Sequence, residues 1–448
     1  MPEHADKLMR KIQAGDALVG VIGLGYVGLP MADALHAGGL RVLGFDIDPE
    51  KIEHLERGEN YLKHLGAEMT ERLSGSDRFE ATTDFDRLDE PDVILVCVPT
   101  PVDQNLEPDL SFVIDTASAI GARLRAGQLI VLESTTYPGT TNERFVPAIL
   151  EAAEANGRGA LVVGEDVFAA FSPEREDPGR KSHTTTTIPK LVGGVDAVST
   201  ELACALYRHG VSEVVPVSSA EVAEAAKILE NVFRAVNVAM VNELKTVFET
   251  MGIDVWEVIR AASTKPFGFM PFYPGPGLGG HCIPIDPFYL AWKAREHGCV
   301  TRFIELAGEI NRAMPAYVVG KVADALNGDR KSINGSKVLV IGLAYKPDVD
   351  DVRETPAAEI IELLIGRGAQ VSYHDPHVAR FHNMRNYALD MDSVDLDRAR
   401  LEDSDCVVIV TDHRVIDWAL IGEHAGLIVD TRNAMAGVEK VQARVVKA

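Results

Sequence analysis

Residues Ala17 to Asp48 read ALVGVIGLGYVGLPMADALHAGGLRVLGFDID, and this stretch decides how the chain begins to fold. An apolar run meets a glycine-rich turn, then residues with helical spacing, then a second apolar run, an order that predicts a β-α-β unit with parallel strands. The turn is Gly23-Leu24-Gly25-Tyr26-Val27-Gly28, and the second strand ends in Asp46, about twenty residues on, the spacing of a dinucleotide fingerprint. Glycines there allow a tight turn, close approach of backbone to a pyrophosphate, and tight packing of helix on strand. Asp46 is expected to accept hydrogen bonds from the adenosine ribose, and its charge to repel a 2′-phosphate, which favours NAD over NADP.

Outward from this unit, DVILVCV (Asp92 to Val98) and QLIVLE (Gln128 to Glu133) read as further strands whose polar ends lie where a parallel sheet presents its ligand edge. Those ends carry Pro99 and Thr100, and then Ser134 to Thr141, STTYPGTT. Serine and threonine also cap helices and end strands for purely local reasons, but the second cluster is read as a ligand contact. The same strand-and-turn order returns near the C-terminus, in KVLVIGL (337–343), AQVSYHDP (369–376), DCVVIV (405–410) and GLIVDTR (426–432). A second doubly wound domain is therefore expected. Its first turn lacks the glycine fingerprint, so a nucleotide other than a dinucleotide suits it.

Between the two, Ser218 to Gly252 has no proline and no internal glycine and opens on Ser218-Ser219-Ala220-Glu221, a capping-box pattern. One long helix is predicted, apolar enough to be buried partly against a second copy of the chain. Lys227 and Asn231 lie four apart on one face of it, in apolar surroundings where a bound oxyanion would satisfy both. The segment Phe267 to Tyr289, FGFMPFYPGPGLGGHCIPIDPFY, holds too many glycines and prolines for a helix or a central strand. It reads as an ordered loop curled about a ligand. Of the five cysteines, Cys97, Cys204 and Cys406 sit in apolar patterns as small hydrophobes and Cys299 has no special setting. Cys282, past the glycines of the loop, is the candidate nucleophile, with Asp286 four residues on. Glu174, at the end of FSPER, is a general base or a salt-bridge partner of Arg175. His374, Asp375, His377 and His382 have metal-ligand chemistry, but Asp-Pro turns and solvated histidines account for them, and no metal is expected.

The chain has 448 residues, 46% hydrophobic and 25% charged, which suits two or three globular domains in water. A net charge of −23 disfavours binding to a nucleic-acid backbone. The cysteines show no paired or zinc-like spacing, and no apolar stretch is long enough for a secretory signal or a membrane span. A reducing cytoplasm is expected.

These motifs together resemble the UDP-glucose/GDP-mannose dehydrogenase family over essentially the whole chain: GLGYVGLP with Asp46, VPTP, STTYPGTT, SPER, AKILEN, GPGLGGHCIPIDP and GLAYKPDVDDVRETP stand in the family's order. The resemblance implies an α/β protein of two Rossmann-like doubly wound domains joined by a central helical region with one long helix. Its expected parts are an NAD-binding domain over 1–212, a central dimerisation region with the cysteine loop over 213–325, and a UDP-sugar-binding domain over 326–448. It implies oxidation of a sugar C6 alcohol to a carboxylate, with Cys282 capturing the aldehyde as a thiohemiacetal and then a thioester. It further implies Lys227 and Asn231 at the C6 oxyanion, Asp286 and Thr135 positioning water or relaying protons, and Glu174 as general base. NAD would lie against Gly23, Gly25, Tyr26, Val27, Gly28, Asp46, Pro99, Thr100 and Thr135. The substrate would meet Glu174, Lys227, Asn231, Phe272, Tyr273, Gly279, Lys346 and Arg432, while Arg353 is either structural or part of the same pocket. The run His281-Cys282-Ile283-Pro284-Ile285-Asp286 departs from the Phe-Pro-Lys-Asp of the UDP-glucose branch. With Tyr61-Leu62-Lys63-His64 and KPFGFMPFYPGPG (265–277), it resembles the N-acetylhexosamine branch. UDP-N-acetylglucosamine is the expected substrate, UDP-glucose and UDP-N-acetylmannosamine the alternatives. A one-step β-hydroxyacid dehydrogenase would need neither Cys282 nor a second α/β domain, and a non-catalytic nucleotide-sugar sensor would not need Cys282, Lys227, Asn231 and Asp286 together.

Overall fold

A computed structural model describes residues 1–62, 66–103, 107–175, 184–280, 282–381, 387 and 389–448. Lys63, His64, His281 and His382 of the sequence reading lie outside the described residues. The chain divides into two compact units, 1–230 with 288–299, and 231–287 with 300–448.

The first unit is built on an eight-stranded sheet: β1 (Leu18–Ile22), β2 (Arg41–Phe45), β3 (Phe79–Thr82), β4 (Val93–Val96), β5 (Leu129–Leu132), β6 (Phe168–Phe171), β7 (Lys190–Gly194) and β8 (Val214–Pro216). The order is β3-β2-β1-β4-β5-β6-β7-β8, parallel at every pairing except β6 with β7. Sequence order reverses at β1, which puts the topological switch point, where open α/β sheets bind ligands, at the end of that strand. Helices cover both faces, so the central strands are apolar throughout: Val93, Ile94, Leu95 and Val96 are all fully buried. Gly23 takes φ +90° and its amide donates to the carbonyl of Phe45 (2.8 Å), which closes the turn that the helix Gly28–Ala37 follows.

The second unit carries the expected second α/β sheet: β9 (Lys337–Ile341), β10 (Gln370–His374), β13 (Cys406–Ile409), β14 (Leu427–Asp430) and β15 (Arg444–Lys447), in the order β10-β9-β13-β14-β15 and parallel throughout. A short antiparallel ribbon, β11 (Arg380–Phe381) with β12 (Met391–Asp392), lies between β10 and β13 in the chain. The two helices Val255–Ala262 and Arg302–Gly328 belong to this unit as well.

The predicted long helix is Ala220–Thr250, 31 residues. Its start differs from the reading. Ser219, not Ser218, is the last residue before the helix, and Glu221 hydrogen-bonds with the Ser219 side chain and accepts from the side-chain amide of Asn142. The acceptor that orders this end is Glu224, fully buried, which takes the backbone amides of Gly139 (2.6 Å) and Thr141 (2.9 Å) and the Thr141 hydroxyl (2.7 Å). It ties the helix to the turn after β5.

Further along the helix, Lys245 is 5% exposed and its ammonium has no hydrogen-bond partner among the described residues. It lies 4.9 Å from the centre of the Tyr317 ring. Burial, with the nearby charges of Lys321 and Arg432 against those of Glu249 and Asp430, pulls its pKa down to about 8.

Two outcomes follow from these local facts. A Cβ on Gly28 would stand 1.9 Å from the carbonyl oxygen of Gly23, so Gly28→Ala should lower stability by about 2 kcal/mol or more, read in a denaturant melt; an unchanged midpoint would mean the turn is not so constrained. For Lys245, the folded state binds fewer protons than the unfolded one between about pH 8 and the ordinary lysine value of 10.5, so stability rises with pH across that window and the full cost of the buried charge is felt below it. Lys245→Met should therefore stabilise the protein at pH 7 by about 1–3 kcal/mol, with the difference from the parent closing between pH 8 and 10.5. A difference that stays constant over that range would contradict the assignment.

Candidate active site

In the first unit the fingerprint turn is built as its glycines require, and each glycine has its own reason. A Cβ on Gly23 would meet the carbonyl oxygen of Cys97 at 2.6 Å, and one on Gly28 would strike Gly23, whereas one on Gly25 would meet nothing within 4 Å. Gly25 therefore opens on free space at the switch point, which fits the approach of a dinucleotide pyrophosphate. Asp46 is 5% exposed. One of its oxygens accepts from the amide of Leu24 (2.9 Å) and from Lys51 (2.9 Å), and the other from the amide of Asp48 (3.0 Å). The acid expected to take ribose hydroxyls thus also staples the turn, and its remaining lone pairs are oriented before any ligand arrives. The Tyr61 hydroxyl donates to the Leu24 carbonyl from the other side (2.5 Å).

At the next strand ends Thr100 is buried and Pro99 exposed. The Ser134 hydroxyl donates to the carbonyl of Val98 (2.7 Å), tying the edge of β4 to that of β5. Most of the STTYPGTT cluster is committed locally, Thr140 to the Tyr137 carbonyl and Thr141 to Glu224. The Thr135 hydroxyl, half-buried, makes no hydrogen bond among the described residues. Of this cluster the Thr135 hydroxyl is thus left for a ligand, while the Thr136 hydroxyl, also without a partner among the described residues, is fully buried. Lys227 is 7% exposed and its ammonium meets no acceptor among the described residues, the situation for which the sequence reading invoked a bound oxyanion. Glu174 accepts from the amide of Arg175 (2.7 Å) and lies 3.8 Å from the ammonium of Lys190. Arg175 itself pairs with Glu230, so the Glu174–Arg175 salt bridge considered from sequence does not form.

In the second unit Cys282 is half-buried at the end of the glycine loop, and its carbonyl accepts the amides of Ile285 (3.1 Å) and Asp286 (2.8 Å) in the turn that starts the helix Asp286–Glu296. Asp286 is 1% exposed and accepts from the side-chain amide of Asn231 (2.5 Å). Asn231 therefore links the long helix to the residue that follows the cysteine by four.

The loop glycines are explained by protein packing rather than by a ligand alone. A Cβ on Gly279 would lie 2.5 Å from the Cβ of Tyr345, one on Gly280 3.0 Å from the Tyr345 ring, and one on Gly275 2.6 Å from the Arg432 guanidinium. The Gly280 amide donates to the carbonyl of Arg353 (2.9 Å). Behind the loop a chain of buried amides holds it: Asn242 accepts from the Gly275 amide (2.9 Å) and donates to Asn311 (3.0 Å), which donates to the Ala235 carbonyl (3.1 Å). The loop thus seats the cysteine segment against the Tyr345-Lys346 turn and against Arg432. Phe272 packs edge-on to Phe233, and Tyr273 stacks on Trp256 with ring centres 5.6 Å apart. The Lys346 ammonium lies 5.6 Å from the centre of the Tyr345 ring. Arg432 donates through Nε to the carbonyl of Val410 (2.8 Å), and burial lowers its pKa. Arg353 forks onto Asp351 at 2.7 to 3.1 Å.

Asp348, His377 and His413 bring ligand-type atoms within 4.8 Å of one another, a grouping the sequence reading did not assemble. His413, however, accepts the Asp348 amide at Nδ1 (3.0 Å), so its proton sits on Nε2 and is donated to Asp375 (3.0 Å). Neither ring nitrogen has a lone pair to offer a metal. The cluster instead fixes Asp348, at φ +63°, two residues after Lys346. Sequence reasoning also missed Lys190 with Glu133, and Lys245. Each is a charged residue inside an apolar run, IPKLVGG, LIVLES and VNELKTVF, and that was the available signal.

Three family descriptions match in order: the NAD binding domain of the UDP-glucose/GDP-mannose dehydrogenase family over residues 17–211, its central domain over 221–313, and its UDP binding domain over 339–437. A UDP-N-acetyl-D-glucosamine 6-dehydrogenase of Pseudomonas aeruginosa is 38% identical over 84% of this chain and 86% of its own length. A UDP-N-acetyl-D-mannosamine dehydrogenase of Methanococcus maripaludis is 33% identical over 88% and 85%. The solved structure of the UDP-D-ManNAc dehydrogenase from Pyrococcus horikoshii superimposes with a TM-score of 0.85 at 30% identity, covering 96% of this chain and 98% of that one. No helix among the described residues is long and apolar enough to cross a membrane. With the glycine turn, the buried Asp46 and two parallel sheets in place, the chain belongs to the UDP-glucose/GDP-mannose dehydrogenase family, an oxidoreductase that uses NAD.

Proposed function

We propose that the protein oxidises the C6 alcohol of a UDP-N-acetylhexosamine, UDP-N-acetylglucosamine first among them, to the uronic acid in two successive steps. The observation that carries this reading is the seating of Cys282 at the end of a glycine loop packed on Tyr345 and Arg432, with Asp286 held by Asn231. NAD, when bound, accepts the hydride of each oxidation. Every other task falls to side chains of this chain. Removal of a hydride from C6 and a proton from its hydroxyl leaves an aldehyde, to which the Cys282 thiolate adds. The resulting thiohemiacetal keeps the sugar attached, and loss of a second hydride and proton gives a thioester. Water then releases the acid and restores the thiol.

In this reading Lys227 and Asn231 stabilise the C6 oxyanion, Glu174 takes the proton, and Asp286 and Thr135 position water or relay protons. Lys346 and Arg432, with Phe272, Tyr273 and Gly279, hold the nucleotide sugar. The N-acetyl assignment rests on the names of similar proteins and on the Ile283-Pro284-Ile285 run. UDP-N-acetylmannosamine is the second reading, favoured by relatives of that name at 32–33% identity and by the matching solved structure.

We also propose a homodimer. Phe233, Met240 and Val247 are spaced by seven on the long helix and are 47%, 44% and 39% exposed, an apolar row of the kind a second helix covers.

The deciding assay follows NADH formation and uronic-acid release with UDP-GlcNAc, UDP-ManNAc, UDP-GalNAc, UDP-glucose and GDP-mannose. Turnover is expected on an N-acetylated UDP sugar. Cys282→Ala should cut acid formation by about 10³-fold or more while NAD still binds. Activity on UDP-glucose alone would overturn the substrate, and a fully active Cys282→Ala would overturn the mechanism. For the dimer, light scattering should give twice the chain mass, with Met240→Glu shifting it to the monomer; a monomeric parent protein would refute the assembly.

A further inference from the structure

Between β5 and the helical stretch 141–155 the chain makes a short arch, and a side chain from a distant helix holds it. At the near end of the arch the Ser134 hydroxyl donates to the carbonyl of Val98 (2.7 Å). At the far end the amides of Gly139 (2.6 Å) and Thr141 (2.9 Å) and the Thr141 hydroxyl (2.7 Å) donate to the carboxylate of Glu224, which is fully buried. The first amides of a helix have no partner within it, and a carboxylate there is favoured both as an acceptor and by the helix dipole. Glu224 thus caps a helix that begins 83 residues before it in the chain. Between the two anchors stands Thr135, half-buried and with its hydroxyl uncommitted among the described residues.

We propose that Glu224 is a positioning residue for Thr135: by holding the far end of the arch to the long helix, it fixes where the Thr135 hydroxyl stands. This inference rests on the reading of Thr135 as a group that positions water or relays protons. The long helix keeps its own ladder of backbone bonds whatever the arch does, so loss of the anchor moves the arch and not the helix that carries Lys227 one turn on. Other contacts to the arch do not replace the anchor. Tyr137 packs on Trp292 with ring centres 5.1 Å apart, and Glu143 accepts from Lys293 (2.6 Å), but both contacts are made through side chains. The Thr140 hydroxyl donates to the Tyr137 carbonyl (2.7 Å), a bond within the arch itself. With the Glu224 carboxylate gone, two buried amides and a hydroxyl lose their acceptor together, and the arch must move to find another.

A shift of about 1 Å in the placement of such a group can cost about 10²-fold in rate, so the effect is read in kcat. The test is a double-mutant cycle on the full chain, with the UDP sugar that the parent oxidises and with NADH binding measured separately by fluorescence. Glu224→Gln keeps the shape of the side chain but turns one acceptor into a donor facing an amide. It should lower kcat by about 10-fold or more while NADH, held chiefly at the fingerprint turn, binds within about threefold of the parent. Thr135→Val should lower kcat as well, and adding Glu224→Gln to it should cost less than about threefold more, because the group that Glu224 positions is already gone. A general loosening of the fold would instead make the two losses multiply. Should Glu224→Gln fail to fold, Thr141→Val, which removes one donor and keeps both amide bonds, decides by the same comparison with Thr135→Val. An unchanged kcat in Glu224→Gln, or losses that multiply in the double variant, would overturn the inference and leave the role of Thr135 standing. If Thr135→Val by itself has the parent's kcat, the role of Thr135 fails and the inference fails with it.

Discussion

The amide of Leu24 lies buried at the end of β1, where the chain leaves the sheet for a helix, and water does not reach it. It needs an acceptor, and the neighbouring strand end supplies one in Asp46. The second unit meets the same need in the same way: Asp375, after β10, accepts the amides of Leu343 (2.6 Å) and Ala344 (2.9 Å) after β9. Gly23 and Gly342 have φ near +90° and +84°, and in each a Cβ would collide with the backbone of the next strand over. A tight exit from the first strand therefore demands a glycine, a buried amide and an aspartate together. This constraint recurs in both halves of the molecule, and the placement of the ligand edge in each depends on it.

From that shared frame the two units diverge. In the first, Gly28 lets the helix pack close on the turn and Gly25 leaves the turn open, so an extended anion can lie on it. In the second, Ala344 stands at the position of Gly25 and Pro347 at that of Gly28, and Tyr345 packs under the glycines of the cysteine loop. His413, Asp375 and Asp348 then tie that turn down through side-chain hydrogen bonds. The loop's glycines consequently do two things: they let the backbone reach Tyr345 and Arg432, and they place Cys282 at a defined point beside Asp286.

Much of this was legible in order and type. The apolar runs of four to five residues became β1, β2, β4 and β5, and the internal echo became the second sheet, because a strand buried on both faces leaves a near-continuous apolar signature. The long helix was legible from the absence of breakers. Its cap was misplaced by one residue, since Ser218 and Ser219 offer the same hydroxyl and only the three donors gathered on Glu224 decide where the turn closes. The pairing of Arg353 with Asp351 was not legible in DVRETP, because an aspartate two residues away is equally suited to solvent. Lys190 and Glu133 were passed over for a related reason: 57 residues separate them, and each alone looks like a charged residue at a strand end.

The sequence by itself determined the α/β class, the dinucleotide turn with its acid, the recurrence of a second such domain and the identity of the chemically capable residues, because these rest on local spacing and on which side chains a strand, helix or turn admits. Tertiary structure alone decided which charges share a partner and which stand unpaired: Lys190 between two carboxylates, Lys245 against an aromatic ring, Asn231 on Asp286, His413 with both nitrogens spent. Those pairings join residues distant in the chain, and their strength comes from exclusion of water, a property of the packed interior that no local pattern of residues contains.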